Sequence, residues 1–256
     1  MMSETVTSNV WVKLNPHARR RVRLFCFPYA GGGSSAYLPW VNEIAPEVEV
    51  CPVQLPGREG RMREQPFTRM EPLIEALAQA LEPFLDLPFA FYGHSLGALI
   101  SFELARHLRR QGGPAPVQLL VSGCHAPQLP MTDEPIHQLS DEEFVQALRR
   151  FNGTPDTVLQ DADLMRMLLP LLRADFAIYE TYTYTAEAPL NYPVASYGGL
   201  HDFRASRESV EAWKQQTDHK FIFRMYDGCH FFIHTKRKIL LQGLHQDLMP
   251  ALSVKV

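Results

Sequence analysis

At 256 residues the chain is long enough to bury a full core, and 46% hydrophobic with 21% charged residues is the make-up of an ordered globular protein. A formal net charge of −3 at pH 7 gives no electrostatic footing for nucleic acid or an anionic membrane surface. No run approaches the roughly 18 apolar residues of a membrane span. The polar opening stretch, ending in Arg19-Arg20-Arg21, lacks the apolar segment of a signal peptide.

Short apolar runs alternate with helical patterns along the chain, which predicts an α/β fold with a mostly parallel sheet covered by helices on both faces. The first candidate strand is 22–27, followed by the loop Pro28-Tyr29-Ala30-Gly31-Gly32-Gly33. The second is 48–53. Apolar residues then recur at helical spacing as Leu73, Ile74, Leu77, Leu81 and Phe84, predicting a helix over 73–85. The third candidate strand, 89–92, runs into Gly93-His94-Ser95-Leu96-Gly97, after which a helical pattern extends from Leu99 to Leu108 and closes at Gly112-Gly113. Strands 117–121, 194–197 and 221–226 complete the sheet. Most of these runs are continuous rather than alternating, as expected where both faces are covered. Cys26, Cys51, Cys124 and Cys229 form no C-x-x-C pair, so a reduced, cytoplasmic protein without disulfides is expected. A monomer is the default expectation, with the whole of 1–256 as one domain.

Between the fourth and fifth strands some seventy residues show no strand. Ser140-Asp141-Glu142-Glu143 reads as a capping box launching a helix through Phe144, Val145 and Leu148. A second helix is expected from Asp163 to Leu172, interrupted by Pro170, and a third over Phe176, Ile178 and Tyr179. This stretch, about 126–188, is expected to be a helical lid over the carboxyl ends of the strands, where sites of such sheets lie. Met165, Met167 and Leu168 are either liners for an acyl chain or ordinary core filling.

The motif G-x-S-x-G between a strand and a helix reads as a nucleophile elbow, with Ser95 at strained backbone angles and its hydroxyl exposed. A serine needs a base and an orienting acid, and in this arrangement they follow in the order Ser, acid, His. Order removes the histidines before Ser95 and also His94, whose side chain points away from its neighbour's. His230 follows the last strand by a short turn and is the expected base; His219, His234 and His245 fit poorly. Asp202, after the fifth strand, is the expected acid, with Asp227 as its rival. Asp218 lies at the wrong end of the sheet, and Asp161 and Asp163 read as helix starts. The oxyanion is expected to meet the N–H groups of Leu96 and Ala30. A glycine-rich loop can also cradle phosphate, but neither G-x-G-x-x-G nor G-K-[ST] is present. His230 and His234 have metal-like spacing without the glutamate of H-E-x-x-H, and Cys229 reads as structural rather than as a nucleophile.

The chain resembles the type II thioesterases that accompany nonribosomal peptide and polyketide synthases. The likeness is carried by Leu24–Gly32 with Trp40, by Gln54-Leu55-Pro56-Gly57-Arg58-Glu59 with Arg61, and by Tyr92-Gly93-His94-Ser95-Leu96-Gly97-Ala98. It continues through Leu169-Pro170, Leu172-Arg173-Ala174-Asp175-Phe176, Glu180-Thr181-Tyr182, Gly199 to Asp202 with Trp213, and His230-Phe231-Phe232. The P-G-R-E and R-A-D-F elements are far more specific than the serine motif. Cys229 departs from an expected glycine, altering the turn before the base. Arg58 and Arg173 read as structural ties. The resemblance implies an α/β-hydrolase fold and hydrolysis of acyl groups held on the phosphopantetheine arm of acyl or peptidyl carrier domains, as editing of a synthase, with no cofactor of its own. It implies Ser95, Asp202 and His230 as nucleophile, acid and base. The competing readings are a medium-chain acyl thioesterase or a carboxylesterase or lipase of the same fold, and a non-catalytic carrier-binding adaptor.

Overall fold

Strands β1 (Val22–Phe27), β2 (Val48–Pro52), β3 (Phe89–His94), β4 (Gln118–Ser122), β5 (Val194–Gly199) and β6 (Phe221–Tyr226) form one sheet in the order β2-β1-β3-β4-β5-β6. All five pairings are parallel, so the expected sheet is present without an antiparallel member. The computed structural model describes residues 9–12, 14, 19–131, 133–151, 153 and 156–253; residues 1–8 of the polar opening stretch lie outside this set. Among the described residues no helix is long and apolar enough to cross a membrane.

The helices are α1 (Trp40–Glu43), α2 (Met70–Leu81), α3 (Leu96–Arg110), α4 (Asp141–Phe151), α5 (Asp156–Leu159), α6 (Ala162–Glu180), α7 (Arg207–Glu211), α8 (Phe232–Thr235) and α9 (Arg237–Ser253). Successive strand side chains point to opposite faces. Phe25, Phe27, Phe91, Leu119 and Val121 therefore join one apolar cluster with α2 and α3. Leu24, Cys26, Tyr92, Leu120 and Tyr197 join another with Trp40 and Leu240, Leu244 and Leu248 of α9. With both faces covered, the strands need no polar alternation, which explains the continuous apolar runs.

Two features of this topology place the site. The strand order reverses between β1 and β3, and their register pairs Phe27 with Gly93, so the loop after β1 lies against the turn after β3. Such a switch point leaves a crevice at the carboxyl ends of the strands. β5 and β6 pair Gly199 with Tyr226, which brings their two following loops together.

Helices α4 to α6 carry their own apolar cluster of Phe144, Leu148, Met165, Leu172 and Phe176, packed against Ala30 of the loop after β1. The capping box is formed: Ser140 Oγ accepts from the Glu143 amide (3.3 Å) and Glu143 accepts from the Ser140 amide (3.1 Å). Asp161 caps α6, accepting from the amides of Asp163 and Leu164. The expected break at Pro170 does not occur. One continuous helix runs from Ala162 to Glu180, because the missing proline donor costs one hydrogen bond while Met165 before it and Leu171, Leu172, Ala174, Asp175, Phe176 and Ile178 after it are buried.

Candidate active site

Ser95 stands at φ 53°, ψ −120°, a strained elbow between β3 and α3. Its flanking glycines are steric necessities. A Cβ on Gly93 would lie 2.0 Å from the Gly97 carbonyl oxygen, and one on Gly97 would lie 2.2 Å from the Phe27 carbonyl oxygen. The elbow is pinned by the Ser95 amide donating to the Ser122 carbonyl at 2.8 Å, at the end of β4. Ser95 is not exposed as expected from the motif; it is only 6% accessible. Leu148 and Phe151 of α4 and Leu172 and Phe176 of α6 roof it, leaving a cavity of about 30 Å³. Met165 and Met167 do not line that cavity: Met165 fills the core of the helical cover, and Met167 is exposed.

The loops after β5 and β6 are stitched by the Leu200 amide on the Tyr226 carbonyl (2.8 Å) and the His201 amide on the Gly228 carbonyl (3.0 Å). Across that seam His230 Nδ1 lies 2.8 Å from Asp202 Oδ2. Asp202 Oδ1 accepts from the amides of Arg204 (2.9 Å) and Ala205 (3.3 Å), so both carboxylate oxygens are held. A carboxylate only accepts, which assigns the proton to Nδ1 and leaves Nε2 as the basic nitrogen. His230 Nε2 is buried without a hydrogen-bond partner among the described residues, and His230 lines the same cavity as Ser95. Asp227 stays away, exposed and paired with His201 (3.0 Å) and Lys236 (3.5 Å). Among the other histidines, His234 sits on α8 with Nε2 2.9 Å from the Tyr29 hydroxyl.

Ala30 lines the cavity beside Ser95, and Leu96 is the first residue of α3. Neither amide has a protein acceptor among the described residues, and the free N–H groups of a helix start carry partial positive charge. The glycines of the loop are closely packed against protein neighbours. Gly31 has φ +75°, and a Cβ there would meet Leu172 of α6 at 2.6 Å.

Two residues have contacts that the sequence reading did not assign to them. His94 is fully buried, with Nδ1 3.1 Å from the Ser122 hydroxyl and its ring 5.0 Å from that of His230. Burial, then the neighbouring His230, His234 and Arg204, hold its imidazole well below the usual histidine range, so it packs against the base as a neutral ring. Its place inside the serine motif was the available signal. Asp175 of α6 is the other: it is wholly buried and pairs with Arg58. R-A-D-F had marked the segment without showing what the carboxylate holds. Arg173 is a tie, as expected, donating to the His137 carbonyl (2.8 Å) and to Asp141 (2.7 Å). Cys26, Cys51 and Cys124 are buried thiols, the last pushed up to about 12 by burial, while Cys229 is exposed and free.

A hydroxyl and a carboxylate-held imidazole lining one cavity, with the Ala30 and Leu96 amides lacking a protein acceptor among the described residues, are groups of the kind an acyl transfer requires. The family comparison agrees. A profile of the thioesterase domain matches residues 22–248. Gramicidin S biosynthesis protein GrsT of Aneurinibacillus migulanus is 45% identical over 97% of this chain and 97% of its own. RedJ, a thioesterase of the prodiginine biosynthetic pathway in Streptomyces coelicolor, superposes with a TM-score of 0.85 at 42% identity, covering 90% of this chain and 92% of its own. YbtT, a type II thioesterase of the yersiniabactin NRPS/PKS pathway, gives 0.85 at 32% identity, covering 95% and 100%. Likeness of this depth, over nearly the full length of each relative, establishes that the chain belongs to the thioesterase domain family, as a type II thioesterase on an α/β-hydrolase fold.

Proposed function

We propose that this thioesterase clears acyl groups from the phosphopantetheine arm of acyl or peptidyl carrier domains, editing a peptide or polyketide synthase, with Ser95 as nucleophile, His230 as base and Asp202 as acid. The observation that carries the reading is the His230–Asp202 bond of 2.8 Å with Nε2 left basic in the cavity that holds Ser95. Names of the relatives, drawn from peptide and polyketide pathways, support the carrier-bound substrate.

In this reading Ser95 Oγ bonds to the thioester carbonyl carbon while its proton passes to His230 Nε2. The carbonyl electron pair moves onto oxygen, which accepts from the amides of Ala30 and Leu96. Collapse breaks the C–S bond, and His230 returns the proton to the departing pantetheine sulfur. A thiol, whose pKa is about 8.5 in free cysteine, leaves far more readily than an amine. Water then attacks the acyl-serine with His230 as base, releasing the acid and restoring Ser95. The scheme uses only groups named above; a monomer acting without a cofactor of its own is part of the proposal. The segment 126–188 acts as the lid of a single domain. Free thiols at all four cysteines favour a reducing, cytoplasmic setting.

The test is a comparison of kcat/KM on an acyl-pantetheinyl carrier protein and on a p-nitrophenyl ester of the same acyl group. The reading expects a clear preference for the carrier thioester. A preference for the oxygen ester would reassign the enzyme to the esterases, and a carrier bound without any turnover would make it an adaptor.

A further inference from the structure

Arg58 comes from the P-G-R-E stretch after β2 and Asp175 from the middle of α6, yet both converge on the loop that follows β1. Arg58 Nη2 and Nη1 donate to Asp175 Oδ1 (2.7 Å) and Oδ2 (2.9 Å), a two-point contact with both side chains almost wholly buried. The pair does not end there. Asp175 Oδ2 also accepts from the Gly31 amide at 2.7 Å, and Arg58 Nη1 donates to the Gly32 carbonyl at 2.8 Å. One ion pair thereby grips the backbone immediately after Ala30 from both its donor and its acceptor side.

The next residue of the motif extends the grip. Glu59, itself held at φ 48°, accepts from the Ser34 hydroxyl (2.7 Å) and the Ser35 amide (3.1 Å). Backbone strain at a non-glycine residue persists only where surrounding contacts over-determine it. A buried ion pair is weak support for stability, since apolar replacements of similar volume commonly serve as well. What an apolar pair cannot do is accept the Gly31 N–H.

We propose that Arg58 and Asp175 are positioning residues for the oxyanion site: they fix the loop that presents the Ala30 N–H, and through Asp175 they make that donor depend on the seating of α6. The two most specific motifs of the chain then have one joint role. P-G-R-E supplies the cation, R-A-D-F supplies the carboxylate, and the loop between β1 and α1 is what they hold. The helix that roofs Ser95 also tightens the donor beneath it, so a displaced α6 leaves a site with its nucleophile in place and its oxyanion donor loose. This inference rests on the reading of Ala30 as an oxyanion donor to a Ser95 adduct.

The deciding variant is the double replacement Arg58→Met with Asp175→Leu, which removes both charges and the acceptor while keeping the core filled. We expect a folded enzyme with melting behaviour close to wild type, kcat lowered about tenfold or more, and KM within about twofold. Affinity for a trifluoromethyl ketone, whose serine adduct carries the oxyanion, should fall by the same factor as kcat. Asp175→Leu alone, which removes the acceptor of the Gly31 amide, is the second variant, expected to lose both quantities in parallel. Wild-type kcat and wild-type ketone affinity in either folded variant would overturn the proposal, leaving the pair a structural tie. Failure of the underlying reading looks different: Ser95→Ala would then retain turnover, whatever the two positioning variants do.

Discussion

Ser95 shows what a single residue in this chain is asked to do. Its φ of 53° is a conformation that costs on the order of 1–3 kcal/mol, tolerated because the Gly93 and Gly97 backbones close around it and the Ser122 carbonyl holds its amide. Ser95→Ala should lower acyl-carrier turnover by at least about a thousandfold, as loss of a triad nucleophile does. His230→Ala should match it in a steady-state assay, and Asp202→Asn should be comparable or milder. Asp227→Asn should leave kcat/KM unchanged, since that carboxylate is engaged at the surface by His201 and Lys236. Full activity in Asp202→Asn would send the acid role elsewhere. At this scale the meeting of Asp202 with His230 beside Ser95 was readable, because chain order and the ends of strands restrict where an acid and a base can stand. His94 was not, since only the folded turn shows that its ring lies against His230 rather than away from the site.

Elements are where sequence periodicity succeeded and where it broke. The six strands stand within two residues of their expected limits because β1 to β5 are buried throughout, giving mostly apolar runs, while the half-buried edge strand β6 still begins and ends on aromatic residues. Helix α6 was misread because proline is a strong local signal and the packing that overrides it is not local. Pro170 is exposed in the middle of that helix. Pro170→Ala restores a donor to the helix at the expense of a more flexible unfolded chain, and thermal unfolding should report a gain of about 1–2 kcal/mol. An unchanged or lowered melting temperature would show that the local backbone has already adapted to proline.

A second element-scale prediction concerns the connection from α6 to β5. Glu187 there meets Arg106 (2.7 Å), Arg109 (2.8 Å) and Arg110 (2.7 Å) of α3. Burial alone would raise its carboxyl, but the hydrogen bonds from Arg109, Arg106 and Arg110 prevail and hold it at about 2. A depressed folded pKa stabilises the protein above the unfolded value of about 4.3, and this is lost as pH falls through about 2. Glu187→Gln should therefore be less stable than wild type near neutrality, by on the order of 1 kcal/mol after solvent screening. The gap should close between about pH 4 and pH 2 in urea melts. A gap that persists undiminished at pH 2 would mean that the carboxylate charge is not its source.

For the whole molecule, the governing fact is that four loops on one rim of the sheet come from widely separated parts of the chain. The β1 and β3 turns meet because the strand order reverses there, and the β5 and β6 turns meet because those strands pair. The sequence carries this rim only indirectly, through the order of its motifs. The extent to which α4 and α6 seal it, with about 30 Å³ left beside Ser95, depends on distant side-chain packing and left no local pattern to read. In the proposed reaction these loops deliver one reactive hydroxyl. Treating the protein with a fluorophosphonate, digesting it and locating the adduct by mass spectrometry tests that most directly. We predict one adduct, on the peptide carrying Ser95, with acyl-carrier hydrolysis lost in proportion to labelling and no adduct in Ser95→Ala. Labelling at another residue, or a fully labelled enzyme that still hydrolyses acyl-carrier thioesters, would contradict it.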